Sequence, residues 1–494
     1  MTRALRFALL LGALTFAPAG PAAASKTQES IFEDEHQLLE RGPEARDAAL
    51  DDMARLGADT VRSLVLWSRI APQGSRRPKG FDGSNPADYP AAAWDPYDDL
   101  VRGTQSRGLG LLLSPSTPIP NWASDCRRGT KATCKPDPRL FGDFVEALGK
   151  RYSGRYADEN QGGGPLPRVT RWSVGNEPNQ PGWLTPQYER KGGRVVAAAA
   201  VSYRRLAAAT VRALRATGHA SDQVLLGETA PIGRTSGSLA RRPIPPVEFL
   251  RKLFCLDARG RKLTGADARA HACTGFRRLS VDGFAHHPYQ RGGSRPPAEK
   301  PQAPGEITIS APGRLRSLLT QGARAGRIPR NLPVYYTEFG FQTNPPDRIF
   351  GVRAPLQADY VNQSDWIAYR DPRVRAVAQY KLIDEAQLSS FQSGLRYLDG
   401  TAKPAFDAYR LPIWVTRSGS ANVRVYGQVR PAADATPQSV EIQVQPPGGA
   451  FETVQTIAVS SKKGHFLQTV RARPDVWRLR WNGLTSREAK VSAR

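Results

Sequence analysis

The chain has 494 residues, and 40% of them are hydrophobic, so it can bury a sizeable core and does not have the composition of a disordered chain. Its length exceeds the roughly 100–200 residues of an ordinary domain, which favours one large domain followed by a small one. The formal net charge is +25, but the basic residues are spread along the chain and no nucleic-acid-binding motif accompanies them. We therefore attribute the charge to overall composition and expect no nucleic-acid partner.

Residues 1–24 have the pattern of an export signal. Arg3 and Arg6 are basic, residues 7–16 form an apolar run, and alanines at 22–24 provide small residues for cleavage before Ser25. An uncleaved membrane anchor is the alternative, but the run is shorter than the roughly 20 apolar residues that a transmembrane helix needs. We expect a secreted or cell-wall-associated protein without a membrane span.

Four cysteines follow, at positions 126, 134, 255 and 273. Export makes disulfides chemically possible, and four cysteines allow three pairings between which the sequence does not choose. Pairing of nearest neighbours would close two local loops. The spacing does not fit a structural zinc site.

After the signal, short apolar runs alternate with amphipathic stretches, as in repeated β-strand and α-helix units. Strands are predicted at 30–33, 60–67, 108–114, 169–175, 224–228, 279–285, 333–338 and 377–383, and helices at 45–56, 96–107, 140–151 and 195–217. Eight such strands predict an α/β protein with a closed (β/α)8 TIM barrel over residues 25–415. An open doubly wound sheet has the same alternation and is the alternative fold.

The pattern changes near residue 414, and a small β-sandwich accessory domain is predicted over residues 420–494. Its strands are predicted at 423–429, 440–444, 451–459, 466–472 and 476–481, with a Pro-Pro-Gly-Gly turn at 446–449. Because no row of exposed aromatic residues is evident, we favour a structural role for this domain over sugar binding.

Two glutamates have equivalent positions at the ends of predicted strands. Glu177 follows the fourth strand and Glu338 ends the seventh. Polar groups at these strand ends face the mouth of a barrel, where the active sites of TIM-barrel enzymes lie. Glycosidic cleavage uses two carboxyl groups, one protonated and one ionised, and proximity separates their pKa values. The alternative for either glutamate is a salt bridge to one of the many arginines.

The sequence around both glutamates resembles glycoside hydrolase clan A. Asn176-Glu177-Pro178 is similar to the clan's acid/base motif on strand four, and Thr337-Glu338-Phe339-Gly340 is similar to its nucleophile motif on strand seven. The resemblance is closest to the cellulase-like family 5, with family 39 as a neighbour. It implies a retaining double displacement in which Glu177 is the acid/base and Glu338 the nucleophile, without a cofactor.

Further positions match the clan pattern. The resemblance implies that Arg62 binds the nucleophile, that Asn176 binds the sugar 2-hydroxyl, and that His287 and Tyr289 contact sugar and nucleophile respectively. His286 and His287 could instead be metal ligands, but the sequence offers this pair no third ligand at a useful spacing, so we expect no metal.

Aromatic side chains are expected in the cleft because flat rings stack on the apolar faces of sugars. Trp122 and Trp183 are candidates, and Trp67 is either a third or part of the core. Family 5 enzymes usually carry a tryptophan at the end of strand eight. This sequence departs from that pattern there, and Tyr380 is the candidate replacement.

These observations predict a secreted, monomeric hydrolase that cleaves O-glycosidic bonds of a poly- or oligosaccharide. A transglycosidase, in which a sugar hydroxyl replaces water, is one alternative. A non-catalytic glycan-binding protein on a barrel scaffold is the other, although such a protein has no need of a protonated group opposite a nucleophile. If the positive charge has a function, an anionic cell-surface glycan is the partner that it favours.

Overall fold

The computed structural model describes residues 26–126, 131–160, 162, 164–432, 436–473 and 476–492. The predicted export signal at 1–24 lies outside these residues. None of the helices in the described part of the chain has both the length and the apolar character to cross a bilayer.

Eight parallel strands close into a barrel in which β1 pairs with both β2 and β8. The strands are β1 Glu29–Glu33, β2 Thr60–Leu66, β3 Gly110–Ser116, β4 Arg171–Ser173, β5 Gln223–Thr229, β6 Gly283–His286, β7 Val334–Tyr336 and β8 Val374–Tyr380. This closed order confirms the predicted TIM barrel and excludes the open doubly wound sheet.

Helices connect the strands and pack around the barrel. They are α1 Pro43–Arg55, α2 Trp67–Ile70, α3 Asp95–Ser106, α4 Pro138–Arg151, α5 Ala198–Ala216, α6 Pro246–Leu253, α7 Gly265–Ala270, α8 Pro312–Arg324, α9 Ala354–Tyr369 and α10 Pro404–Arg410. Many begin with proline, whose missing N–H costs no bond in a first helical turn. Short helical turns lie at His36–Glu40, Pro86–Asp88, Ala91–Ala93 and Asn121–Ala123, and a short hairpin joins Glu189–Lys191 to Arg194–Val196.

The core lies mainly between the barrel and its helices. On α4, the buried residues Phe141, Phe144, Val145 and Leu148 have the spacing of one helix face, and they belong to the large core cluster. Alternate strand residues point the other way, into the barrel. On β1, Phe32 belongs to the large cluster and Ile31 to a small separate cluster, so Glu33 shares the inward direction of Ile31.

Seven antiparallel strands follow the barrel: β9 Ile413–Ser418, β10 Asn422–Gln428, β11 Gln438–Gln445, β12 Glu452–Val459, β13 His465–Arg471, β14 Val476–Trp481 and β15 Leu484–Thr485. One sheet has the order β9-β10-β13, the other has the order β12-β11-β14-β15, and one apolar cluster contains residues of both sheets. This arrangement confirms the predicted β-sandwich. The strand β9 was not predicted, and it begins at Ile413, before the predicted start of the accessory domain at 420.

Both disulfides join nearest neighbours in sequence. Cys126 is bonded to Cys134, and Cys255 is bonded to Cys273. The structure therefore selects the pairing that closes two local loops among the three that the sequence left open.

Candidate active site

Glu177 and Glu338 both lie just beyond the carboxyl ends of barrel strands, β4 and β7 respectively. The turn after β4 has a left-handed backbone at Gly175, with φ of 69°, and at Glu177, with φ of 35°. Positive φ is uncommon for residues with a side chain, and such strain persists where surrounding contacts hold it, often at functional sites.

The two glutamates face each other across the mouth of the barrel. One carboxylate oxygen of each, together with a ring nitrogen of His287, forms a group in which all atoms lie within 4.8 Å of one another. The side chain of Glu177 is 21% exposed and that of Glu338 is 10% exposed. Both line a cavity of about 330 Å³ that opens at this end of the barrel.

Hydrogen-bond donors approach both oxygens of Glu338. The Tyr289 hydroxyl donates to Oε1 at 3.0 Å, and the Arg62 guanidinium donates to Oε2 at 3.4 Å. His287 Nδ1 lies 3.4 Å from the same Oε2. Burial raises the pKa of Glu338, the charge of Glu177 adds to this, and the charges of His287 and Arg62 oppose it. The hydrogen-bond donors around Glu338 favour its ionised, carboxylate form.

Arg62 is fully buried beneath the two glutamates and binds acidic or amide oxygens from several strands. Its Nη2 donates to Asn176 Oδ1 at 2.7 Å and lies 3.1 Å from Glu228 Oε2, while its Nη1 donates to Glu33. Burial alone would lower the pKa of Arg62, but Glu228 and Glu33 raise it. Arg62 therefore provides a permanent positive charge at the base of the site.

His287 is the second cation of the site. Its Nδ1 lies 3.2 Å from Glu177 Oε1, and its Nε2 lies 2.8 Å from Glu228 Oε2. Burial would lower the pKa of His287, but the charge of Glu338 and the bonds to Glu177 and Glu228 raise it to about 9. At neutral pH the ring is an imidazolium and donates from both nitrogens.

The protonation of His287 also bears on metal binding. No third ligand at a useful spacing was evident in the sequence for the histidine pair, whereas in the structure one potential ligand atom each of Glu177, His287 and Glu338 lies within 4.8 Å of the others. A histidine ligand must be neutral, so a metal ion bound by this group would have to displace the Nδ1 proton of His287. His286 faces elsewhere, with its nitrogens at 2.8 Å from Thr229 Oγ1 and the Ile307 carbonyl.

Sequence reasoning missed three acidic residues of this site. Glu228 lies near the end of β5 and is fully buried, and Glu33 ends β1 in contact with Arg62. Glu35 follows in the same loop and lines the cavity. Burial raises the pKa of Glu33 well above its ordinary value. The signal that could have found Glu33 and Glu228 is the one used for Glu177 and Glu338, an acidic residue at the end of an apolar strand.

The aromatic residues considered for sugar binding fall into two groups, those that line the cavity and those that pack elsewhere. Trp183, Tyr380 and Asn176 line the cavity with the two glutamates. Trp122 is not among the described residues that line it. Its indole N–H donates to the Pro72 carbonyl at 3.2 Å, and its ring packs edge-on against Trp67. Trp67 is buried and stacks on Phe144, so it belongs to the core.

Charged side chains form part of the cavity wall and are paired with one another. Arg69 donates to Glu40 at 2.6 Å, and Lys381 Nζ lies 2.6 Å from Glu385. The cationic residues of this wall are therefore already neutralised by neighbouring acids.

No protein family model matches this sequence, and no curated protein matches it. Solved structures do match, among them a GH5_18 enzyme from Streptomyces cattleya in complex with GlcNAc, with 17% identity, a TM-score of 0.46 and coverage of 78% of this chain and 79% of that chain. A β-glucosidase from Exiguobacterium marinum matches with 14% identity, a TM-score of 0.45 and coverage of 78% and 97%. The family 1 β-glucosidase from Thermotoga maritima matches with 14% identity, a TM-score of 0.45 and coverage of 74% and 83%.

These three structures are of glycoside hydrolases, the class that the sequence motifs resemble, and they do not single out family 5.

Proposed function

We propose that this protein is a secreted retaining glycoside hydrolase that cleaves O-glycosidic bonds of a poly- or oligosaccharide. The observation that carries the proposal is the approach of Glu177 and Glu338. A carboxylate oxygen of Glu177 lies within 4.8 Å of a carboxylate oxygen of Glu338. Retaining enzymes place their two carboxyl groups about 5–5.5 Å apart, whereas inverting enzymes leave about 6.5–9.5 Å for a water molecule. The approach of the two carboxylates to within 4.8 Å agrees with the shorter separation and supports double displacement.

In the first step, a carboxylate oxygen of Glu338 attacks the anomeric carbon and forms a glycosyl ester. Glu177 donates its proton to the leaving oxygen as the glycosidic bond breaks. In the second step, Glu177 removes a proton from water, the water oxygen attacks the anomeric carbon, and the ester bond to Glu338 breaks.

The contacts of the two glutamates support this division of roles. Glu338 is the less exposed and receives donors on both oxygens, which suits the ionised nucleophile. Glu177 is the more exposed and contacts His287 through a single oxygen, which leaves the other oxygen for the leaving group and for water. Arg62 binds Asn176 through Oδ1, and this orients the amide nitrogen of Asn176 for a sugar hydroxyl.

The location of the site supports the proposed division of the chain into a catalytic barrel and an accessory domain. All of the residues assigned to the reaction lie between Arg62 and Tyr380, within the barrel proposed for residues 25–415. The domain proposed for residues 420–494 contributes no residue to the cavity that Glu177 and Glu338 line among the described residues. We assign it a structural role.

The test uses the secreted chain, a panel of aryl glycosides and polysaccharides, and the variants Glu338→Ala and Glu177→Ala. We expect each variant to lower turnover by several orders of magnitude. Azide should rescue Glu338→Ala with formation of a glycosyl azide of inverted configuration, because it attacks from the vacated side. It should rescue Glu177→Ala with retained configuration, because it attacks the glycosyl ester.

Glu306→Gln is the matched control, since Glu306 is a buried glutamate paired with Arg291 away from this cavity. It should keep wild-type turnover. The proposal fails if both catalytic variants retain wild-type turnover, and the retaining mechanism fails if nuclear magnetic resonance shows that the first product has the anomeric configuration opposite to the substrate.

A further inference from the structure

Glu228 is a third carboxylate in direct contact with the catalytic groups, although it does not line the cavity. Its Oε2 accepts a bond from Thr337 Oγ1 at 2.6 Å, lies 2.8 Å from His287 Nε2 and lies 3.1 Å from Arg62 Nη2. The side chain is fully buried. Glu228 therefore contacts both cations of the site, Arg62 and His287. It also contacts Thr337, the residue that precedes the proposed nucleophile.

The backbone of β5 is distorted where it presents Glu228. The pairing of β5 with β6 shifts register between Leu226 and Thr229. Gly227 has φ of 124°, and a Cβ there would lie 2.4 Å from the Ala285 carbonyl oxygen. Glu228 itself has φ of 45°. A positive φ is unfavourable for a residue with a side chain such as Glu228, and its contacts offset that strain.

Acidic side chains lie next to both ring nitrogens of His287. From neighbouring elements, His287 faces Glu177, Glu228 and Glu338, with Arg62 as the opposing cation and His286 as its neighbour in the chain. Nδ1 lies between Glu177 and Glu338, at 3.2 Å and 3.4 Å. Nε2 has Glu228 as its acceptor, and the negative charge of an ionised Glu228 favours a proton on both ring nitrogens.

We propose that Glu228 is a positioning residue: by accepting from Nε2 it keeps His287 as an imidazolium whose Nδ1–H is held between the two catalytic glutamates. The inference rests on the proposed function, because it assigns Glu177 and Glu338 their roles in the reaction. The imidazolium stabilises the negative charge of whichever glutamate is ionised, Glu338 before its attack and Glu177 after it has given up its proton. Loss of its charge therefore sets the alkaline limit of activity.

The pKa directions agree with this geometry. Burial would raise the pKa of Glu228, but the charge of Arg62 and the bond from His287 lower it to about 2. Glu228 is then a carboxylate at any working pH. The same contact helps to raise the pKa of His287 to about 9.

The first experiment follows His287 directly and does not depend on activity. The chain has only six histidines, so the ring nitrogens of a 15N-histidine-labelled sample are resolvable, and His287→Asn assigns the signal. In the wild-type protein, both nitrogens of His287 should remain protonated through pH 8. In Glu228→Gln, which replaces the carboxylate by a neutral amide, the ring should lose its charge at least about one pH unit lower.

The second experiment compares the pH dependence of kcat/KM on an aryl glycoside. The alkaline limb, where kcat/KM falls as the pH rises, should move to lower pH in Glu228→Gln. The shift should equal the shift of the His287 titration in pH units. Glu228→Asp keeps the charge and should return the limb towards the wild-type position, which keeps the proposal testable if Glu228→Gln folds poorly. Glu306→Gln, a buried glutamate of another ion pair, should leave the limb unchanged.

An unchanged titration of His287 in Glu228→Gln overturns the proposal. So does a shifted titration with an unmoved alkaline limb, and in that case the hydrolase assignment stands. A wild-type chain that hydrolyses no glycoside defeats the proposed function instead, and the titration then still decides whether Glu228 holds the imidazolium.

Discussion

Two fully buried histidines of this protein have opposite pKa shifts. At the mouth of the barrel, His287 has its pKa raised to about 9. At the junction between the barrel and the C-terminal sandwich, burial and the charges of Arg430 and Lys463 lower the pKa of His465 to about 3. His465 Nε2 lies 3.1 Å from the Gln28 carbonyl, and the ring stacks on Tyr369.

Burial acts in the same direction on both rings, so the neighbouring charges decide the difference. At the junction each acid contacts a base: Asp365 lies 3.2 Å from Arg430, and Asp59 lies 2.5 Å from Lys463. At the mouth, by contrast, acids from several strands share the two cations Arg62 and His287. A balanced junction needs only to hold two domains together. An excess of buried carboxylates is costly and is expected where the charges have a chemical role.

The strongest test of this contrast replaces the buried arginine of each region. Arg62→Met and Arg430→Met should each lower the free energy of unfolding by about 3–5 kcal/mol, because each leaves an uncompensated buried acid. Only Arg62→Met should also lower kcat, by about 10²- to 10³-fold, since Arg62 orients both Glu338 and Asn176. Urea denaturation and turnover per folded molecule measure the two effects. Equal losses of turnover in the two variants would contradict the contrast.

The pH dependence of stability separates the two histidines next. His465 has a folded pKa of about 3 against an ordinary value of 6.5, so the unfolded chain binds the extra proton between these values. Its contribution makes stability fall as the pH falls from 6.5, by at most about 1.4 kcal/mol per pH unit. His465→Phe should remove this slope in urea denaturation at a series of pH values.

His287 should give the opposite slope. Its folded pKa of about 9 lies above the ordinary 6.5, so the folded chain binds the extra proton. The stabilisation is fully present below pH 6.5 and is lost as the pH rises through 9. The difference in stability between wild type and His287→Asn should therefore shrink over that range. Slopes of the same sign for the two histidines would contradict the assignment.

The sequence was sufficient for the barrel and for the two central glutamates. Apolar runs of strand length recur with helices between them, and each run lies within a few residues of an observed strand. Glu177 and Glu338 were identifiable because short motifs surround them at strand ends. The strand β9 was missed because it starts only a few residues after α10, where the alternating pattern used to recognise the sandwich had not yet begun.

The acids that bind the two cations were not predictable in the same way. Glu228 contacts His287 only because Gly227 and the register shift in β5 turn its side chain inward, and no local pattern specifies that distortion. Glu33 depends on the pairing of β1 with β2, which sets it opposite Arg62. The bridging position of His287 depends on β4, β5 and β7 together, so it too requires the closed barrel.

A smaller effect is expected for a single hydrogen bond to the nucleophile. Tyr289→Phe removes the donor that lies 3.0 Å from Glu338 Oε1. A bond to a charged group contributes about 1.5–3 kcal/mol, so kcat/KM should fall about 10- to 100-fold. Tyr188→Phe is the matched control, because the Tyr188 hydroxyl donates to Glu248 at the same 3.0 Å outside the site. Similar losses of kcat/KM in both variants would show that the Tyr289 bond has no special role.

The smallest effect concerns the tryptophans that the structure separates. Trp183 lines the cavity, whereas Trp122 packs on Trp67. Loss of one stacked ring is worth about 0.5–1.5 kcal/mol, so Trp183→Ala should raise KM about three- to tenfold with little change in unfolding free energy. Trp122→Ala should do the reverse, because its ring contacts protein side chains and its indole N–H is bonded to Pro72. Since both residues were candidates for sugar binding, a raised KM for Trp122→Ala at unchanged stability would move the sugar site towards Trp122 and away from the cavity beside Glu177.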